Sequence, residues 1–279
     1  MTYIIKSKSI NDIIKYDKNK YNSNNHWIND EPPSDYDSVL SKSHTHLWID
    51  IFKPEYKKII INNTKHISWL KRANHLCSQT GKFSNLFIDE LIDTINDLEK
   101  DYGYLFENNT KYFIRVNNVS LKYGMYGVGP YYNLRNIIES TVSSIKGHSP
   151  IYENTNELII YLLPWINITD ENEFRVFVYK NKITAISQQN IYKRLNMTNI
   201  ENKIDIITKY FNDVISKKID WIENYTYDFA IIDKQMPYFI EMNSFGKEYA
   251  AGSALFHWLL DEQILYNDND DIIEFRYTV

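Results

Sequence analysis

The sequence predicts an α+β protein with largely antiparallel sheets. Segments with helical periodicity alternate along the chain with paired strand-like segments, an order typical of this class. Hydrophobic residues make up 43% of the 279 residues, which suffices for a substantial core. The chain shows neither an internal repeat nor a low-complexity linker. We therefore expect one large domain or two closely packed lobes.

Three segments have the periodicity of amphipathic helices. The first begins at Ser84, a favourable N-cap residue, and continues to about Lys100 with its apolar residues on one face. Residues 131–146 and 203–217 show the same spacing. Each apolar stripe predicts a helix that packs one side against the core.

Strand-like segments fill much of the remaining chain. Runs of β-branched and aromatic residues mark them, and short turn-forming segments separate the last four into two hairpins. The predicted strands cover residues 59–61, 111–116, 157–163, 173–178, 182–187, 225–232 and 238–243.

Composition narrows the possible functions. The formal net charge of -5 disfavours a non-specific nucleic-acid binder. A single cysteine, Cys77, excludes an intrachain disulfide framework and fits a reducing compartment. The first residues lack the apolar core of a signal peptide, and no apolar run approaches the ~20 residues that span a bilayer. We therefore expect a cytoplasmic protein that does not bind membranes.

The last predicted hairpin carries a candidate metal site. Glu241 and Asn243 alternate along one strand and so point to the same face. A four-residue connection, 234–237, would place Asp228 directly opposite Asn243, with Glu241 as a diagonal neighbour. Carboxylate and amide oxygens are ligands that Mg²⁺ takes, with phosphates completing its shell. The alternative is a solvated sheet face with ordinary polar residues.

A glycine-rich loop is a candidate phosphate-binding element. Gly124, Gly127 and Gly129 follow a strand that carries Arg115, and Lys122 precedes them. Such a loop lets backbone N–H groups approach phosphate, or lets a lid move. It matches neither the P-loop nor the Rossmann pattern, and the alternative is a mobile turn.

Arg175 is a candidate for charge recognition. It lies in the middle of a predicted strand, where a half-buried arginine usually pairs with an acid or a phosphate. Glu173 lies on the same face of that strand, so a purely structural ion pair is the alternative.

A series of short motifs follows one another along roughly residues 110–260. They are Phe113-Ile-Arg115, Ser120-Leu-Lys122, Leu163-Pro-Trp165-Ile166, Glu173-Phe-Arg-Val-Phe-Val178, Ala185-Ile-Ser-Gln188, Tyr227-Asp228-Phe229, Phe239-Ile-Glu-Met-Asn243 and Leu255-Phe-His-Trp258. In this order, the motifs resemble those of an ATP-grasp protein of the cell division cycle protein 123 type.

The resemblance implies an ATP-grasp-like fold of two α/β lobes with the nucleotide bound between them. On this basis we expect a poorly assigned N-terminal lobe at residues 1–105. Residues 106–279 would form the ATP-grasp-like core, with the glycine loop, a hinge and the metal-binding hairpin.

The resemblance also implies roles for individual residues in binding ATP and Mg²⁺. Lys122 and Arg175 would act on the phosphates in catalysis as well as in binding. The implied phosphate ligands are Arg115, Lys122 and Arg175, the adenine hinge is Pro164, Trp165 and Ile166, and the magnesium ligands are Asp228, Glu241 and Asn243.

Three departures from the family pattern bear on partner recognition more than on nucleotide binding. The chain has Ser120-Leu-Lys-Tyr123 where the family has Ser-Pro-Lys-Asp, and Ser187-Gln-Gln-Asn190 where it has Ser-Gln-Arg-Asp. It has Glu241-Met-Asn-Ser244 where the family often has Asp-x-Asn-Pro. The segment Gly246–Trp258 also resembles divergent virus- and phage-borne relatives, which adds an infected host cell to the expected locations.

The resemblance leaves three functions to weigh. The first is an ATP-binding assembly chaperone for translation initiation factor 2 that acts through its gamma subunit. The second is an ATP-grasp ligase that activates a carboxylate as an acylphosphate for a small-molecule or peptide acceptor. The third is an interaction protein without nucleotide. For the first two, replacing Asp228 or Glu241 with alanine is expected to abolish Mg-ATP binding with the fold intact.

Overall fold

The computed structural model describes residues 2–14, 20–145, 149–195, 197–249, 251–267 and 272–279. Within them the strands are β1 (Thr2–Lys8), β2 (Lys57–Ile61), β3 (Tyr112–Arg115), β4 (Leu158–Pro164), β5 (Glu173–Tyr179), β6 (Lys182–Gln188), β7 (Tyr225–Ile232), β8 (Met236–Ser244) and β9 (Ile272–Thr278). The helices are α1 (Ile10–Ile14), α2 (Tyr36–Ser41), α3 (Thr45–Phe52), α4 (Thr64–Thr80), α5 (Ile88–Tyr102), α6 (Leu134–Ser143), α7 (Ile200–Tyr210), α8 (Ser216–Lys218) and α9 (Glu262–Leu265), with a π-helical turn at Phe211–Ile215. None of the described helices is long and apolar enough to span a bilayer.

The chain forms two compact units. The first consists of Met1–Phe52 and Asn167–Val279, and the second of Lys53–Ile166. The chain therefore leaves the first unit, completes the second and returns to the first. The boundary predicted from the sequence, between residues 105 and 106, falls inside the second unit, because α4 and α5 pack with α6.

The first unit is built on a six-stranded sheet, counted over the described residues, with the order β1-β9-β6-β5-β7-β8. The hairpin pairs β5–β6 and β7–β8 are antiparallel, as the sequence predicted, and so is β5–β7. The C-terminal strand β9 runs parallel to both of its neighbours, β1 and β6. The sequence analysis predicted neither β1 nor β9. Strand β1 lies at an edge of the sheet and is mostly exposed.

Aromatic side chains cover one face of this sheet. Phe211 of the π-helical turn stacks on Tyr227 at a centroid distance of 6.4 Å. From α3, Phe52 stacks on Phe239 at 4.2 Å and Trp48 meets the same ring edge-on at 5.4 Å. These rings pack closely on one face, which leaves the opposite face of the sheet for polar side chains.

The second unit packs helices α4, α5 and α6 with a three-stranded antiparallel sheet of order β2-β4-β3. The predicted helix after Ser84 is present as a capped 3-10 turn followed by α5. The helix predicted over 131–146 is the shorter α6, and residue 146 lies outside the described residues. Sequence reasoning missed α4, although Asn63 caps its start and Gly81 ends it with a φ of 73°.

Candidate functional site

A row of polar side chains crosses the six-stranded sheet from one edge to the other. Residues paired across neighbouring strands project to the same face, so the pairing alone assembles the row. From β1 to β8 it consists of Lys6, Arg276, Ser187, Arg175, Asp228 and Glu241. Three predicted site residues, Arg175, Asp228 and Glu241, are therefore adjacent in space.

Arg175 and Asp228 form a buried, two-pronged ion pair. The Arg175 Nε and Nη2 atoms donate to the two oxygens of Asp228, each at 2.8 Å. Arg175 is 7% exposed and Asp228 is 2% exposed. Burial lowers the pKa of the Arg175 guanidinium, but the carboxylates of Asp228, Glu241 and Glu173 together outweigh this effect, so the pKa stands above its ordinary value. The hydrogen-bonded acid is thus Asp228, rather than the Glu173 considered from the sequence.

The pairing of β7 with β8 differs from the predicted register. The connection is the three-residue turn Asp233–Gln235, and the pairing shifts between Asp228 and Phe229. Asp228 therefore lies opposite Glu241, and Asn243 lies opposite Thr226. The predicted pairing of Asp228 with Asn243 is wrong, and the observed register differs from the predicted one by two residues. An even displacement keeps the side chains on the predicted face.

Two buried polar groups lie beside the carboxylates. The Asn243 amide nitrogen and the Thr226 hydroxyl have no hydrogen-bond partner among the described residues. Buried polar atoms are rarely left unpaired, and such exceptions often mark a place where a ligand or water binds. The described part of the chain holds no group of three or more His, Cys, Asp or Glu side chains suited to a metal. The candidate set is therefore two carboxylates, an amide and a hydroxyl.

The polar row is covered by residues 251–258, which we call the capping segment. The Gly252 carbonyl accepts from Arg175 Nη1. The Leu255 N–H donates to the Ser187 hydroxyl at 3.1 Å, and its carbonyl accepts from Arg276 at 3.0 Å. An added Cβ at position 252 would lie 2.6 Å from the Asn22 side-chain oxygen, so glycine allows this close approach.

Arg276 has a different environment from Arg175, since two acids surround it. Its Nη1 and Nη2 atoms donate to Asp261 at 2.8 and 2.6 Å, and Nε donates to Glu274 at 2.6 Å. The guanidinium carbon also lies 4.0 Å from the centre of the Phe256 ring. These contacts use most of its donors, which indicates that Arg276 anchors the capping segment to the sheet.

In the second unit, Arg115 ends strand β3 and is 3% exposed. It pairs in an isolated bridge with Ser120, two residues before Lys122. The hinge residue Pro164 pairs with Tyr112, at the other end of the same strand. The two positions are three residue steps apart along the strand, a distance of about 10 Å. Arg115 and the hinge thus lie at opposite ends of β3.

The glycine loop is docked on helix α6. The Met125 N–H donates to the Ser143 hydroxyl at 2.8 Å, and the Tyr126 N–H donates to the Ser140 hydroxyl at 3.2 Å. An added Cβ on Gly124 would lie 2.5 Å from the Ser140 carbonyl oxygen. Both of these N–H groups donate to side chains of the protein itself. The Lys122 side chain, which precedes the glycines, is exposed.

The hinge packs near the end of the glycine loop. The Trp165 N–H donates to the Lys111 carbonyl at 3.0 Å, and its ring would be 3.3 Å from a Cβ placed on Gly129. Trp165 and Ile166 are half-buried, whereas Pro164 is exposed. The structure thus groups the hinge with the loop in the second unit.

Lys53 is a buried lysine that sequence reasoning did not identify. It is 7% exposed, and burial together with the nearby Arg115 lowers its pKa to about 6. An unfolded lysine titrates near 10.4, so between pH ~6 and ~10 the unfolded chain binds a proton that the folded chain does not. Stability must then rise with pH across this window.

We expect Lys53→Met to flatten that pH dependence. The wild-type slope from this group approaches about 1.4 kcal/mol per pH unit between pH 7 and 9, and the variant should lack it. Urea unfolding at pH 7, 8 and 9 measures the slope. Lys57→Met, at an exposed lysine nearby, is the matched control and should follow the wild type. Parallel curves for Lys53→Met and the wild type would contradict a neutral, buried Lys53.

Sequence reasoning also missed three residues of the polar face. Thr226 could have been predicted from the sequence, since it lies two positions before Asp228 on the same strand and must share its face. Gln189 follows the end of β6, where alternation no longer applies, yet its amide donates to Asp228 at 3.0 Å. Gly252 carried no signal, because the covering of the sheet by an irregular segment is not visible in local sequence.

Comparisons with known proteins place these observations in context. The family model described as D123 matches residues 134–279. The structure of Cdc123 from Schizosaccharomyces pombe aligns with a TM-score of 0.60 and 15% identity, covering 86% of this chain and 97% of that one. The C-terminally truncated form of the same protein aligns with a TM-score of 0.60 and 16% identity, covering 85% and 96%. No curated protein sequence matches the chain significantly.

A D-alanine-D-alanine ligase from Helicobacter pylori is more distant, with a TM-score of 0.40, 17% identity, and coverage of 85% of this chain and 57% of that one. The match to Cdc123 extends over nearly the whole of both chains. It confirms the predicted α+β, ATP-grasp-like fold of the Cdc123 type in two units with mostly antiparallel sheets.

Proposed function

The chain belongs to the D123 family, and we propose that it binds ATP together with Mg²⁺. The observation that carries the proposal is the cluster on β7 and β8. There Asp228 and Glu241 lie side by side, next to an Asn243 amide nitrogen and a Thr226 hydroxyl that are buried with no hydrogen-bond partner among the described residues. A bound Mg-nucleotide would supply hydrogen bonds to these two groups.

The side chains of this cluster fit the chemistry of a magnesium–phosphate group. Glu241, Asp228 and the Asn243 amide oxygen are hard oxygen ligands, and Mg²⁺ usually takes one or two carboxylates and completes its shell with phosphates and water. The Asn243 amide nitrogen is a donor, so a phosphate oxygen would satisfy it. Asp228 and Glu241 bring two carboxylates together at this end of the row, and oxygen ligands of this kind suit a cation.

The remaining residues of the proposal would hold the nucleotide. Arg175 and, from the second unit, Arg115 and Lys122 would bind phosphates. The hinge residues, Pro164, Trp165 and Ile166, would hold adenine, and their place at the far end of β3 from Arg115 separates the base position from a phosphate position. When bound, Mg²⁺ would offset phosphate charge.

Calorimetric titration with ATP, with and without Mg²⁺, tests this proposal. We expect magnesium-dependent binding by the wild type and at least about tenfold weaker binding by Glu241→Gln, since the change removes a charged ligand at constant size. Glu241 is the better target because, unlike Asp228, it is only half-buried. Glu223→Gln removes the same charge from an exposed position and should bind as the wild type does.

Two results would contradict the proposal in different ways. Equal binding by the wild type and Glu241→Gln would remove the hairpin from the metal site while leaving nucleotide binding in place. A wild type that does not bind ATP would favour an interaction protein without nucleotide. Melting temperatures of all variants should agree, which separates a lost ligand from a lost fold.

Family membership favours an assembly factor over a ligase as the function that the bound nucleotide serves. We propose that the chain acts as a cytoplasmic assembly factor for translation initiation factor 2 through its gamma subunit. The alternative ligase would form ADP and phosphate only when a carboxylate and an acceptor are both supplied. Binding of the purified gamma subunit without such turnover supports the assembly factor, whereas turnover that depends on an acceptor supports the ligase.

A further inference from the structure

We propose that a cleft on the second unit, lined by helix α4, binds a small phosphate-bearing molecule. Its volume is about 640 Å³, within the range of small-molecule sites. We call it the α4 cleft. The side chains that define it are Thr64, Ser68, Lys71, Arg72 and His75 on α4, with Glu153 opposite them. It shares no residue with the proposed nucleotide site.

The charge of the α4 cleft differs in sign from that of the whole protein. The chain carries a formal net charge of -5, yet the cleft contains Lys71, Arg72 and His75 against one acid, Glu153. Two hydroxyls, from Thr64 and Ser68, add neutral donors along the same side of the helix. Basic groups with hydroxyl donors in one cleft favour a compact, multiply charged anion, and phosphate is the common group of this kind.

The wall facing α4 is attached to the helix, so the cleft is formed before a ligand binds. The Lys71 ammonium donates to the Glu153 carbonyl at 2.5 Å. The Ser149 hydroxyl donates to the Asn74 side chain at 3.1 Å, and the Asn118 amide donates to the Ser149 carbonyl at 2.8 Å. A preformed site loses less conformational entropy when a ligand binds.

The basic side chains retain donors for a ligand. Lys71 has three N–H donors and uses one of them on Glu153. Arg72 is 3.7 Å from Glu90, and its side chain is 61% exposed, so this ion pair is weak and can be exchanged. The Arg72 guanidinium also lies 5.7 Å from the Phe87 ring, which helps to hold it at the cleft.

An NMR titration of the full chain with inorganic pyrophosphate, in the absence of Mg²⁺, tests the proposal. We expect saturable shifts confined to the amides of residues 64–75 and 149–156, with a dissociation constant of about 1 mM or tighter. Arg72→Ala/His75→Ala should weaken binding by about tenfold or more, because both side chains are exposed and their loss leaves the fold unchanged. Lys65→Ala, on the same helix outside the lining, should bind as the wild type does.

Several outcomes would overturn the proposal. These are the absence of saturable shifts, unchanged affinity in Arg72→Ala/His75→Ala, and equal shifts with sulfate at matched ionic strength. Shifts that appear with a single-stranded RNA but not with pyrophosphate would assign the surface to a polynucleotide instead. An Mg-ATP titration of the same double variant should match the wild type, so failure here and failure of the nucleotide site are distinguishable.

Discussion

Replacing Asp228 with alanine is expected to lower the free energy of unfolding by about 3–5 kcal/mol, because the change leaves a buried guanidinium without its acid. Arg175 loses two of its hydrogen bonds in this variant and keeps only the one to the Gly252 carbonyl. Urea unfolding at pH 7 measures the loss. The sequence-based expectation that the fold would stay intact without Asp228 therefore changes.

A double-mutant cycle supplies the control for this prediction. Arg175→Met combined with Asp228→Ala should be less destabilised than Asp228→Ala alone, because no charge is left buried and unpaired. If the losses of the single variants simply add in the double variant, the two side chains are not coupled. A loss below about 1 kcal/mol for Asp228→Ala would mean that the pair is solvated as a surface pair is.

Arg276→Met is expected to produce a loss of similar size, about 3–5 kcal/mol, without a direct effect on nucleotide binding. The change removes the cation that both Asp261 and Glu274 hold in the wild type. The half-exposed Lys6, 2.7 Å from Glu274, would remain close to that carboxylate. Thermal and urea unfolding at pH 7 measure the effect.

Arg194→Met is the control for Arg276→Met, because Arg194 is exposed and changes at such sites usually stay within about 0.5 kcal/mol. A loss below about 1 kcal/mol for Arg276→Met would argue against two uncompensated buried acids. A specific loss of Mg-ATP binding at a temperature where Arg276→Met remains folded would instead place Arg276 within the nucleotide site.

The two arginines show how one sheet face can serve structure and binding together. Arg276 lies between two acids and holds the capping segment. Arg175 holds one acid, whose neighbour Glu241 remains half-buried. The part of the row on β7 and β8 therefore carries two neighbouring carboxylates, whereas on β9 the Arg276 guanidinium lies between two acids.

The predicted face of the last hairpin was correct although its register was not. Alternation along a strand is a property of the backbone, so Glu241 and Asn243 had to share a side. The length of the turn and the extra residue in β8 depend on how the strands twist and pair, and these shifted the partner of Asp228 from Asn243 to Glu241.

Residue spacing alone determined most of the elements of this protein: the hairpins, the helices near residues 84–100 and 203–217, and the face that carries Asp228. Only the tertiary structure decided which charges meet. The pairing of Arg175 with Asp228, the burial of Lys53 and the covering of the row by Gly252 join residues far apart in the chain. Local periodicity records the backbone's own geometry, whereas these contacts depend on which strands become neighbours and on what is excluded from water.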